Sequence, residues 1–104
     1  MHPVMNKTKW LEIQKAMRDL EESPLWRIRN TRNGHVSDWD GEWFYHFSEN
    51  GFKDIEWVEI RVANDSQSRR VESLLESIHV PGIKTKNGFR VFGHVTDGFP
   101  VEYL

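Results

Sequence analysis

The stretch "WDGEWFYHF", residues 39–47, decides how the fold is interpreted. An Asp-Gly pair, Asp40-Gly41, stands directly before a run of large aromatic side chains. Asp-Gly and Asn-Gly pairs beside alternating apolar residues are typical of β-hairpins, because a type I′ turn needs positive φ at two adjacent positions. We therefore predict a hairpin turn at Asp40-Gly41 and a β-strand over residues 42–48.

Similar pairs recur along the chain and indicate that most of it is an antiparallel meander. They are Asn33-Gly34, Asn50-Gly51, Asn87-Gly88 and Asp97-Gly98. Between these turns, runs rich in β-branched and aromatic residues predict short strands. The predicted strands cover residues 25–32, 35–39, 42–48 and 55–62, then 83–86, 89–95 and 101–103.

Two segments have helical rather than strand periodicity. In residues 8–22, Trp10, Ile13, Met17 and Leu20 recur at helical spacing until Ser23-Pro24. In the second segment Val71, Leu74, Leu75 and Ile78 form one apolar stripe, with Asp65 or Ser66 as the cap and "VPG" at 80–82 as the end. The predicted fold is a single α+β domain over residues 1–104: an N-terminal helix, a four-stranded antiparallel meander, a second helix and a C-terminal β-hairpin.

The hairpin turns fix a register, and the register predicts two unlike sheet faces. Arg29 then faces Asp38, Arg27 faces Asp40, and His35 faces His46. One face suits the underside of two helices, and it carries Val36, Trp43, Tyr45, Phe47, Val58, Ile60 and Val62. The other face is mixed and at least partly open, and it carries Trp26, Ile28, Trp39, Phe44, Ile55 and Trp57 with His35, His46, Glu42, Glu59 and Arg61.

Composition narrows the class of protein. The chain has 104 residues, a formal charge of −2 and no cysteine, which excludes disulfides and thiolate metal sites. A slightly acidic chain does not supply the basic surface of a general nucleic-acid-binding protein. The N-terminus lacks the apolar core of a signal peptide, and no stretch approaches the roughly 20 apolar residues of a membrane span. We therefore expect a cytoplasmic protein with no membrane partner, for which binding to nucleic acid is disfavoured.

The histidines offer one route to chemistry. In the predicted register His35 and His46 are side by side, with Glu42 on the same face, so they could bind zinc or supply a general base. No third ligand at a fixed spacing and no His-Glu-x-x-His motif supports such a site. We therefore expect no metal and no cofactor, and we keep a small metal-binding or hydrolytic enzyme centred on His35 and His46 as the alternative.

The mixed face offers a second route, which is binding. Exposed tryptophans with a charged rim have the composition of an interaction hot spot. The candidate binding residues are Trp26, Trp39, Glu42, Phe44, His46, Trp57 and Glu59. Two alternatives stay open: the face is a second half-core under the C-terminal segment, packed by Phe89, Phe92 and Phe99, or it is the interface of a homodimer.

Three segments, "WDGEWFYHF", "IEWVEIRV" at 55–62 and "IHVPG" at 78–82, resemble a family of small bacterial proteins known only as a domain of unknown function. The resemblance covers nearly the whole chain and implies no activity, substrate or catalytic residue. By analogy of size, charge and class, the chain is also similar to immunity proteins. Our leading hypothesis is a non-enzymatic cytoplasmic protein-binding module, in its most specific form an immunity or antitoxin-like inhibitor of a basic toxin domain.

Overall fold

The computed structural model describes all residues from 1 to 104, and it confirms the α+β class. Three helices accompany a four-stranded and a two-stranded antiparallel sheet. The elements in chain order are β1 (His2–Pro3), α1 (Lys7–Arg18), β2 (Leu25–Asn30), α2 (Tyr45–Ser48), β3 (Ile55–Arg61), α3 (Asp65–Ile78), β4 (Gly82–Thr85), β5 (Gly88–Phe92) and β6 (His94–Val95).

The main sheet has the strand order β2-β3-β5-β4, and β1 pairs with β6 apart from it. Trp26 lies opposite Ile60 across β2 and β3, and Val58 lies opposite Val91 across β3 and β5. Because side chains alternate along a strand, this register sends one apolar set towards the helices. The predicted C-terminal hairpin is β4-β5, whereas the predicted strand 101–103 forms only an isolated bridge between Pro81 and Tyr103.

Both long helices begin at asparagine caps. The side chain of Asn6 accepts a hydrogen bond from the Lys9 N–H, and that of Asn64 accepts one from the Gln67 N–H. Asn64 therefore takes the role predicted for Asp65 or Ser66. The first helix ends at Arg18, earlier than predicted, and neither α1 nor α3 is long and apolar enough to cross a membrane.

The core lies between the two long helices and one face of the sheet. Both helices contribute the apolar stripes predicted from their periodicity, and the sheet contributes alternate residues of its two central strands. Its members are Trp10, Ile13, Met17, Trp26, Trp43, Phe47, Ile55, Val58, Ile60, Val71, Leu75, Val80, Phe89 and Val91.

The prediction of a strand over residues 42–48 is wrong. Trp43 and Phe47 are 2% and 3% exposed, whereas Tyr45 between them is 73% exposed. In a strand all three side chains would share one face, but in a helical turn residues four apart share a face and the residue between them does not. This segment therefore leaves the sheet as a turn and the short helix α2.

The hairpin registers predicted around this segment are wrong for the same reason. Residues 35–39 form no strand. Val36 makes an isolated bridge to Arg29, Asp40 makes another to Trp26, and the Ser37 hydroxyl accepts from the Ile28 N–H. Arg27 and Arg29 pair instead with Glu59 and Glu56 of β3. As a result β3 lies directly beside β2, and Trp26 points into the core rather than onto the open face.

The close approach of β3 and β5 generates a stability prediction. A Cβ atom at Gly88 would overlap the carbonyl oxygen of Ile60, so Gly88→Ala must push the two strands apart. We expect this variant to lose about 1–3 kcal/mol of unfolding free energy, or more, in urea titrations. In the control Gly41→Ala the new Cβ would lie 3.5 Å from Leu25 Cδ2, an ordinary contact, and the expected change is within about 0.5 kcal/mol. Equal losses in both variants would contradict this account of Gly88.

Candidate functional site

The seven predicted binding residues do not form one surface. Trp26 lies in the helix-side core, and Trp57 lies in a small separate cluster with Phe92 and Val95. Trp39 and Glu59 belong to the open face of the sheet. The remaining three, Glu42, Phe44 and His46, come together in residues 40–48, which we call the aromatic turn.

Two core aromatics anchor the aromatic turn. The Trp43 indole N–H donates to the carbonyl oxygen of Pro24 at 2.8 Å. The Phe47 ring lies 4.8 Å from that of Trp43 and 5.2 Å from that of Trp26, between centroids. Aromatic packing of this kind stabilises beyond simple area burial, and both side chains bury large surfaces. These contacts fix the aromatic turn on its core side.

Glu42 fixes the backbone of the turn by hydrogen bonds. Its carboxylate accepts hydrogen bonds from the N–H groups of Phe44, Tyr45 and His46 at 2.8, 2.6 and 2.8 Å. The bond from the His46 N–H contributes most, and together the three bonds outweigh the opposing effect of burial and lower the pKa of Glu42 below its ordinary value. The buried amide of Gln14 donates to the carbonyl oxygens of Trp43 and Phe44 at 2.9 and 2.7 Å.

Asp40 and His46 close the turn with an ion pair. His46 Nδ1 lies 2.7 Å from one carboxylate oxygen of Asp40, and the Glu42 N–H donates to the other. The hydrogen bond to Asp40, followed by the charges of Asp40, Glu42 and Glu49, raises the pKa of His46 above its ordinary value. The imidazolium therefore carries charge over a wider pH range than a free histidine does.

The outer surface of the turn presents two adjacent aromatic rings. Phe44 and Tyr45 are 44% and 73% exposed, and their rings meet edge to face with centroids 4.6 Å apart. The Arg18 guanidinium from α1 lies 5.3 Å from the Phe44 centroid. Since the backbone beneath these rings is already hydrogen-bonded, a partner that covered them would order few additional groups.

The open face of the sheet carries three charged side chains in a row between two tryptophan rings, which we call the arginine–tryptophan row: Trp39, Arg27, Glu59, Arg90 and Trp57. Arg27 lies over Trp39 and Arg90 over Trp57, each 4.5 Å from the ring centroid. Glu59 accepts hydrogen bonds from Arg27 at 2.8 Å and from Arg90 at 2.6 Å. Partial burial acts to raise the pKa of Glu59, but the two arginines outweigh it and hold that pKa below its usual value.

Part of this face is covered, as one alternative from the sequence proposes. Trp57, Phe92 and Val95 form a buried cluster, with Val101 packed against it. Phe99 meets Phe92 edge to face at 5.7 Å, whereas Phe89 lies in the main core. The C-terminal segment therefore covers the half of the open face that carries Trp57. Trp39, on the other half, is half-buried.

The predicted neighbouring of His35 and His46 is wrong. The His35 N–H donates to the Asn33 side chain and its carbonyl accepts from Asn30, in the loop after β2. His46 instead bonds Asp40, which bridges to Trp26 near the start of β2. No group of three or more His, Cys, Asp and Glu side chains is placed to hold a metal ion. The geometry therefore gives no support to a site built on this histidine pair.

Tyr45 is the site residue that the sequence prediction missed, because it was assigned to the buried side of a strand. A usable signal was present in the spacing of Trp43 and Phe47, which are four residues apart as on one face of a helix. Glu42, which lies before α2 and accepts from the N–H groups of Tyr45 and His46, is a second signal, since a carboxylate is stabilising near the N-terminal end of a helix.

The hydrogen bonds of Glu42 generate a pH-dependent stability prediction. A depressed folded-state pKa contributes stability above the ordinary glutamate value of 4.5, and that stability is lost as the pH falls through the folded pKa. We expect Glu42→Ala to melt at a lower temperature than the parent chain at pH 7 and to approach it in acid. Glu49→Ala, which removes an exposed carboxylate at the end of the same turn, is the control. Equal shifts for both variants at pH 7 would contradict the role of Glu42.

The Asp40–His46 pair generates a second prediction, for NMR titration. The pKa of His46 should lie above 6.5, and Asp40→Asn should lower it. Because the folded-state pKa is raised, the stabilisation is fully present below the ordinary value and is lost as the pH rises through the raised one. Asp38→Asn removes an exposed carboxylate from the same loop and should leave the His46 titration nearly unchanged. A His46 pKa that does not respond to Asp40→Asn would count against the pair.

Comparison with known proteins assigns the chain to a family. The model of a family of unknown function, DUF6678, matches residues 1–98, so the chain belongs to that family. This confirms the resemblance to a domain of unknown function. No curated protein and no solved structure matches the chain.

Proposed function

We propose that this member of the DUF6678 family is a non-enzymatic cytoplasmic protein-binding module that contacts its partner with the aromatic turn. One observation carries the proposal: Phe44 and Tyr45 are 44% and 73% exposed on a segment whose backbone is fixed by hydrogen bonds. Elsewhere in the same turn Trp43 and Phe47 are buried, so the exposure of their neighbours follows from the anchoring and not from loose packing.

The composition of the turn suits a binding hot spot. Aromatic side chains and arginine are enriched among the residues that dominate interface energies, and Arg18 lies over Phe44. A partner would bury two rings that have few rotatable bonds, so the entropy cost per unit of buried area is small.

The charges around the rings favour a basic partner. Asp40, Glu42 and Glu49 all raise the pKa of His46, and Asp40 is paired with it at 2.7 Å. The two glutamates give this edge of the molecule an acidic rim. Glu59, which the sequence prediction placed in the same rim, does not contribute because two arginines neutralise it. In its most specific form the proposal is an immunity-like inhibitor that covers a basic toxin domain.

The test is co-expression of the tagged chain with the product of the adjacent gene, followed by co-purification and measurement of the dissociation constant. We expect a stable complex, and we expect Phe44→Ser with Tyr45→Ser to weaken it about 30-fold or more, the loss typical of a hot spot. Affinity should also fall as salt is added, because screening weakens attraction between an acidic rim and a basic partner.

The control variant is Phe99→Ser with Tyr103→Ser, which removes two other exposed rings, 47% and 50% exposed, from the C-terminal segment. It should bind as the parent chain does. Equal losses of affinity in both double variants would mean that the contact lies outside the aromatic turn. Failure of the chain to co-purify with the product of the adjacent gene would contradict the proposal. Analytical ultracentrifugation tests the homodimer alternative. If the parent chain sediments as a dimer and the Phe44→Ser, Tyr45→Ser variant as a monomer, the partner of the aromatic turn is a second copy of this chain.

A further inference from the structure

A large cavity of the molecule is separate from the exposed rings of the aromatic turn. It has a volume of about 650 Å³ and lies where the start of α1, residues 51–53 and residues 93–94 meet, beyond Ser48 at the end of α2. Pockets for small molecules are typically about 300–1,000 Å³, so this one has the size of a ligand site.

The cavity floor is aromatic and preformed. The Phe52 ring stacks on the ring of the buried Trp10, 5.9 Å away with planes 18° from parallel, and Met5 and Leu11 extend the apolar surface. The backbone at residue 93 packs closely against the Trp10 ring because residue 93 is glycine: a Cβ there would lie 2.9 Å from Trp10 Cζ2. The floor therefore fits a flat or extended apolar group.

The cavity rim is basic, and its two lysines form no ion pair. Lys7 and Lys53 are exposed lining residues, no aspartate or glutamate lines the cavity, and neither lysine forms an ion pair. The His94 ring is held in place by a hydrogen bond of 2.8 Å between Nδ1 and the carbonyl oxygen of Ile55. Since a carbonyl can only accept, Nδ1 carries a proton, and Nε2 is the ring nitrogen left for a ligand.

We infer that this cavity binds a small amphipathic carboxylate, with its apolar body against Phe52, Met5 and Leu11 and its carboxylate at Lys7 and Lys53. Two cations that form no ion pair, at the rim of an apolar cleft with no acidic lining residue, are complementary to a ligand that is apolar at one end and anionic at the other. This site is additional to the proposed protein contact and does not depend on it.

The probe is naphthalene-2-carboxylate, titrated by calorimetry and located by amide chemical shifts in NMR. We expect saturable binding with shifts confined to residues 5–11, 48–53 and 93–94. The neutral naphthalene-2-carboxamide has the same apolar body, and we expect it to bind about tenfold more weakly because the charged interaction is missing. This comparison needs no variant and so cannot be confused with a folding defect.

The variant Lys7→Gln with Lys53→Gln should weaken the carboxylate about tenfold or more and leave the carboxamide unchanged. Both lysines are exposed, so the variant should fold. The matched control, Lys84→Gln with Lys86→Gln, removes two lysines from the β4-β5 hairpin and should change neither affinity. No saturable binding below about 1 mM, equal affinity for the two probes, or shifts located outside these residues would overturn the inference.

Discussion

The burial of Trp43 and Phe47 beside Trp26 is the interaction on which the rest of the structure depends. Three large aromatic side chains meet under one edge of the sheet, with ring centroids 4.8–6.1 Å apart. Burying each contributes on the order of 1.5–3 kcal/mol, which exceeds the roughly 1 kcal/mol span of strand propensities that favoured an extended segment. The chain therefore bends inwards here, and β3 takes the place beside β2 that a meander would have filled.

That bend leaves backbone groups that a sheet would have paired, and the polar residues of the turn satisfy them. Glu42 accepts three N–H groups, Asp40 accepts a fourth, and Gln14 donates to two carbonyls. No buried side-chain nitrogen or oxygen in the molecule lacks a hydrogen-bond partner. The buried rings of Trp43 and Phe47 and the hydrogen bonds of Glu42 and Gln14 fix the same few residues. Phe44 and Tyr45 therefore point outwards because of how the core is packed.

The charges are distributed over three surfaces of different character. The aromatic turn has an acidic rim, the open sheet face has arginines that sandwich Glu59 and stack on Trp39 and Trp57, and the large cavity has two lysines above an apolar floor. A formal charge of −2 for the whole chain conceals this separation. The sign of a partner can therefore be argued only surface by surface.

The sequence by itself determined the two long helices, the β4-β5 hairpin and the α+β class, because each rests on local periodicity that one segment can express alone. It could not determine the path of residues 39–47, since Trp43, Tyr45 and Phe47 fit a strand face while Trp43 and Phe47 also fit a helical turn. Only tertiary structure decided between them, through the distant Trp26 and the carbonyl of Pro24 that receives the Trp43 N–H. The same decision moved Trp26 into the core and separated His35 from His46, because a segment that leaves a sheet changes the neighbours of every residue it would have paired with.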